Sequence, residues 1–232
     1  MTNSDPSPDS LVDRLMELYE RAPVVRMLVA AYPPLTIAEA GVLAAYKWWR
    51  ARRMYVFTEE IISLRLNPPE EQVKSREFCE AFGATALRVL ETAREDKIRL
   101  FARLFASYVR QNDCTPEAFD ALEEDLAILD DLSFREFQLL LVLRKYELQF
   151  PSTPDKNEAQ RTRQYWDNFK VEATKHIGIS NDELNPMLQR LIRTGLYQMI
   201  TGTYWDYLGD RGYLTPRFAK FLQRLNLPDS QV

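Results

Sequence analysis

A chain of 232 residues with 46% hydrophobic side chains can bury a sizeable core, and with only 7 glycines and 13 prolines it favours helices over sheets. Its two cysteines, Cys79 and Cys114, have no CxxC or Cys/His spacing, which argues against a disulfide framework or a zinc site and fits a reducing cytosol. The net charge of -4 hides an asymmetry: residues 1–134 carry 16 Lys+Arg against 23 Asp+Glu, whereas residues 135–232 carry 14 against 11, an excess that permits nucleic-acid binding without arguing for it.

The polar, acidic start from Thr2 to Asp9 is the opposite of a signal peptide and reads as a disordered leader, residues 1–9. Ser10 with Asp13 opens a first helix through Leu18, and Pro33-Pro34 ends the apolar segment that begins at Val24. Thr36 with Glu39 forms a capping box for a long segment that runs to Leu64, stops before Pro68-Pro69 and offers bends at Gly41 or near Thr58. This segment, Thr36–Arg65, is also available for self-association. Phe78, Phe82 and Leu90, then Ile98, Phe101, Phe105 and Tyr108, recur at helical period, with a restart at Thr92 and Glu95, and mark the centre of a first core. Thr115-Pro116 opens an acidic helix ending near Leu132, and a soft boundary there closes a helical domain, residues 10–132.

Residues 133–232 read as a winged-helix-like domain. Ser133 with Glu136 caps the apolar helix Phe134–Leu148, a proline-bearing loop follows, and the amphipathic stretch Glu158–His176 carries Tyr165, Phe169 and Ala173 at every fourth position. Ser180 with Glu183 is a further capping box, Leu184, Leu188, Leu191 and Ile192 give its helix an apolar stripe, and Gly195 closes it in the left-handed region. A strand over Leu196–Ile200, turns at Thr201–Thr203 and Leu208–Asp210, a return at Tyr213-Leu214 and a last helix capped by Thr215-Pro216 complete the order of recognition helix, wing and closing helix. The fold class is therefore mainly α with one small β-hairpin.

The run Arg94–Ala106, followed by an acidic helix ending Leu129-Asp130-Asp131-Leu132-Ser133, resembles a broad group of uncharacterised bacterial proteins in which such a helix precedes a short acidic one and a winged-helix-like tail. The resemblance covers about residues 70–225. It implies a fold rather than an activity, and an accessory role of the kind found in phage defence.

Chemistry-bearing residues are few. His176 is the one histidine and sits at a helix end, as a surface or capping histidine does. Glu123, Glu124, Asp125, Asp130 and Asp131 lack the spacing of a calcium loop and read as a solvated face. No phosphate-cradling glycine loop or nucleophile elbow is present, so no catalytic, cofactor-binding or metal residue is expected, and the chain reads as a non-enzymatic interaction or regulatory protein.

Three surfaces are candidates for contact. Opposite the leucines of its helix, Asn181, Asn185, Gln189, Arg190 and Arg193 are residue types that read base edges, although Asp182 and Glu183 would repel phosphate. At the expected wing tip, Tyr204, Trp205 and Tyr207 suit a protein partner better than DNA, which makes protein contact the main reading and DNA-binding regulation the alternative. Lys47, Trp48, Arg50, Arg52 and Arg53 follow a stretch from Met27 to Tyr46 whose one charge is Glu39, an arrangement that suits a membrane surface or an acidic partner but not a full span.

Overall fold

The computed structural model describes residues 42–111, 115–155, 157–201 and 211–227, with side chains from Trp49 onward. Among these residues ten α-helices and one two-stranded hairpin follow in order: α1 (Val42–Ser63), α2 (Glu70–Val73), α3 (Arg76–Glu91), α4 (Glu95–Arg110), α5 (Pro116–Asp131), α6 (Phe134–Gln149), α7 (Glu158–Arg163), α8 (Trp166–Glu172), a π-helical turn (Ala173–Ile177), α9 (Asn181–Ile192), β1 (Tyr197–Met199), β2 (Gly212–Leu214) and α10 (Pro216–Leu225). The protein is mainly α. The chain divides into two compact units, residues 1–129 and 130–232.

In the first unit α1 packs on α3 and α4, and α3 packs on α4. Of the apolar positions counted at helical period, Phe78, Phe82 and Phe105 meet in one aromatic cluster, which Phe57 of α1 joins. Phe105 lies 5.5 Å from Phe78, 6.0 Å from Phe82 and 6.1 Å from Phe57, ring centre to ring centre. Such tilted and edge-on pairs add to the stabilisation from buried area. The long helix runs unbroken past Thr58, which is buried. The restart at Glu95 follows an extended Thr92, and α4 begins without a side-chain cap.

The second unit is built on capping boxes. Ser133 Oγ accepts from the Glu136 N–H while the Glu136 carboxylate accepts from the Ser133 N–H at 2.8 Å, which satisfies two of the donors left free at the start of α6. Asn157 and Gln160 do the same for α7. The two strands pair antiparallel in the register Tyr197↔Leu214, Gln198↔Tyr213 and Met199↔Gly212. β1 rests on α9, while β2 rests on α6 and α7.

Four expectations change. The stretch Glu158–His176 is not one helix: it ends at Arg163 and restarts at Trp166, because Tyr165, whose side chain is buried, takes φ −126°, outside the helical region. Ile192 is exposed, and Met187 takes its place in the buried stripe of α9. Thr215 stands at the start of α10 but makes no side-chain cap; its hydroxyl donates to the Gly195 carbonyl at 2.6 Å instead. The strands are three residues each, shorter than Leu196–Ile200. The first expected helix, Pro33-Pro34, Gly41, Cys114 and most of the expected wing lie outside the described residues.

Candidate functional site

α9 is positioned by chemistry local to its start. Ser180 Oγ accepts from the Glu183 N–H, and Glu183 Oε2 accepts from the Ser180 N–H at 2.9 Å. The backbone N–H of Ser180 is the main influence that holds the Glu183 carboxyl below its usual range. Arg135 of α6 donates to the Gly178 carbonyl at 2.6 Å and stands 3.7 Å from Glu183, which ties this end of α9 to α6. Leu184, Met187, Leu188 and Leu191 are buried, and the helix runs through Pro186. At Gly195 φ is +71°, a conformation that closes the helix and costs glycine little.

The five outward residues of α9 are all exposed, but the structure divides them into two sets. Arg190 Nε lies 2.9 Å from Glu136 Oε1, and Arg193 Nη2 lies 2.8 Å from Asp131 Oδ1. Gln189 reaches the Met199 sulfur at 3.6 Å. These three are engaged by their own unit. Asn181 and Asn185 instead line a groove of about 740 Å³ between α9 on one side and α8 with the π-helical turn on the other.

The floor of this groove is apolar, formed by Leu184, Leu188 and Trp166. Val171 on its wall is 67% exposed. Asp167 and Lys170 form an ion pair across one turn at 3.1 Å. The side chains of Thr174, Lys175, Asn181 and Asn185 line the groove without a hydrogen bond or ion pair to any described residue. The π-helical turn shifts the facing of Thr174 and Lys175 relative to an α-helix, and turns of this kind recur at functional sites. Nothing in the sequence announced this turn.

Beneath the hairpin lies a second polar cluster. Glu147 Oε1 accepts from the Leu214 N–H at 2.8 Å, and Arg161 stands 3.7 Å from the other Glu147 oxygen while bonding Glu158 at 2.9 Å and the Phe150 carbonyl at 2.6 Å. Burial pushes the Glu147 carboxyl up to about 7. Burial also pushes the Tyr146 hydroxyl up to about 12, helped by its bond to Glu172. Burial raises Glu172 as well, but the hydrogen bonds from Lys145 and Tyr146 outweigh it and leave that carboxyl below its usual range. This cluster holds α6, α7 and the hairpin together.

The other sequence candidates fare differently. Tyr204, Trp205 and Tyr207, and the side chains of Lys47 and Trp48, lie outside what is described. Arg52 pairs with Glu95 at 2.8 Å, and Arg53 donates to the Leu90 carbonyl and stacks over Trp49 at 5.9 Å, so these two cations serve the first unit. Arg50 is only partly exposed. No helix among the described residues is long and apolar enough to cross a membrane. No group of three or more metal-ligating side chains occurs among the described residues, and Asp125 is buried rather than on a solvated face. His176 is exposed. Comparison with protein-family models, with curated proteins and with solved structures gave no match.

Proposed function

We propose that the second unit is a winged-helix-like module used for protein contact, and that the chain is a non-enzymatic interaction or regulatory protein rather than a DNA-binding regulator. One observation carries this reading: the exposed face of α9 has its arginines tied to carboxylates, while its asparagines open onto a groove with an apolar floor. For Arg190 to reach a base it must give up its ion pair with Glu136, whose side chain is 5% exposed and would keep its bond from the Ser133 N–H. Asp182 and Glu183, exposed at the leading end of the same helix, add repulsion toward phosphate. An apolar floor ringed by polar groups whose side chains have no partner among the described residues is, by contrast, the composition of a protein-binding cleft.

Two measurements test the reading. Fluorescence anisotropy against a random-sequence duplex is expected to show no salt-sensitive binding between low and physiological ionic strength; steep salt dependence would restore the DNA reading. A photo-crosslinking residue at position 171 is expected to give a protein adduct of defined mass in cells, and the same residue at the exposed Ile62 of the first unit is not.

A further inference from the structure

The groove between α8, the π-helical turn and α9 has a polar pattern that selects among protein ligands. Asn181 and Asn185 stand one turn apart on α9, a rise of about 6 Å along its axis. Alternate residues of an extended chain repeat every ~6.6 Å. Each carboxamide offers two donors and an acceptor, so a pair at this spacing matches the N–H and C=O groups of residues i and i+2 of an extended peptide. A helical ligand satisfies its own backbone and would cover both carboxamides without pairing them, which is costly for polar groups taken from water.

Charge adds a second constraint. Of the charged side chains lining the groove, Asp167 and Lys170 neutralise each other, and Lys175 is left with no described partner. A single ammonium at the edge of an apolar floor is complemented by a single carboxylate, not by the dense negative charge of a nucleic acid.

We infer that the groove takes an extended peptide segment of a partner protein, its apolar side chains alternating toward Leu184 and Leu188 and one carboxylate set against Lys175. This rests on the protein-contact reading above and names the ligand of that same site. The main chain of the ligand pairs with Asn181 and Asn185, so recognition tolerates different side chains at outward positions and demands an acidic one at the Lys175 position.

The full chain panned against displayed random peptides tests this. Enriched sequences are expected to share an acidic residue flanked by alternating apolar ones. Binding of a selected peptide should weaken roughly three- to tenfold in N181A and in N185A, both with unaltered thermal unfolding. Panning with Lys175→Glu should enrich a basic residue at the same place. Binders that lose affinity in N185A but show helical periodicity or no charge preference overturn the extended acidic ligand and leave the protein-contact reading standing. Failure to enrich any binder sensitive to these substitutions overturns both. Self-association of the chain that N185A abolishes makes a second copy the occupant and overturns the partner assigned here.

Discussion

The backbone N–H of Leu214 donates to Glu147 Oε1 at 2.8 Å, so the return strand of the hairpin is fastened to α6 through a carboxyl group that burial drives up to about 7. The folded state thus binds a proton at Glu147 more tightly than the unfolded chain, where the value is near 4.5. The stabilisation this provides is complete below about 4.5 and is lost as pH rises through about 7. Arg161, shared with Glu158, offsets part of the cost of the ionised form, and Arg144 adds a weaker attraction.

It follows that stability rises between pH 8 and pH 5 by about 1–3 kcal/mol from this group. Urea unfolding followed across that range measures the slope, and Glu147→Gln should flatten it. An equal slope in the variant would assign the effect to other groups.

Gly212 makes a different prediction about the same hairpin. A β-carbon there would lie 2.2 Å from the Tyr197 ring and hydroxyl and 2.4 Å from the Gln198 carbonyl oxygen, and one of these neighbours is backbone. Gly212→Ala should therefore cost about 2–3 kcal/mol, by forcing the strands apart. Gly178 has φ +66° and open space around its α-carbon, so Gly178→Ala should cost only about 1 kcal/mol, the strain of the left-handed backbone. Thermal unfolding of the two variants ranks them.

How much of this was legible in the sequence depends on the range of the forces involved. The capping boxes at Ser133 and Ser180 and the left-handed Gly195 are visible because each is decided within a few residues. The break at Tyr165 was hidden because Tyr165, Phe169 and Ala173 all lie at or beyond it, so their regular spacing carries no sign of the interruption before them. For α9, periodicity identified the exposed face. It could not show that Glu136 and Asp131, 54 and 62 residues earlier, would engage Arg190 and Arg193 and leave the asparagines to the groove.

In the first unit, Glu60 receives two cations from α4, Arg103 at 2.7 Å and Arg99 at 3.1 Å, and its side chain is 6% exposed. Glu59, beside it, reaches Arg99 at 3.1 Å from a far more open position. Glu60→Ala strands a largely buried arginine and should cost about 3 kcal/mol, whereas Glu59→Ala should cost less than about 1 kcal/mol. Chemical denaturation compares them. Equal costs would mean that solvent reaches Glu60 more freely than its packing shows.

The pair Arg190 and Glu136 tests why α9 presents arginines that do not reach outward. Glu136 has two tasks: one oxygen accepts from the Ser133 N–H, and the other faces Arg190 Nε at 2.9 Å. Removing the carboxylate therefore breaks a cap and a pair together, and Glu136→Ala should cost about 2–3 kcal/mol. Arg190 is more than half exposed, so Arg190→Ala should cost below about 1 kcal/mol. A double-mutant cycle by urea unfolding separates the pair from the cap, with a coupling energy of about 0.5–1 kcal/mol expected if the ion pair persists in solution. Coupling near zero would release Arg190 for an external ligand and weaken the case against DNA, which is why the cycle and the duplex titration are best read together.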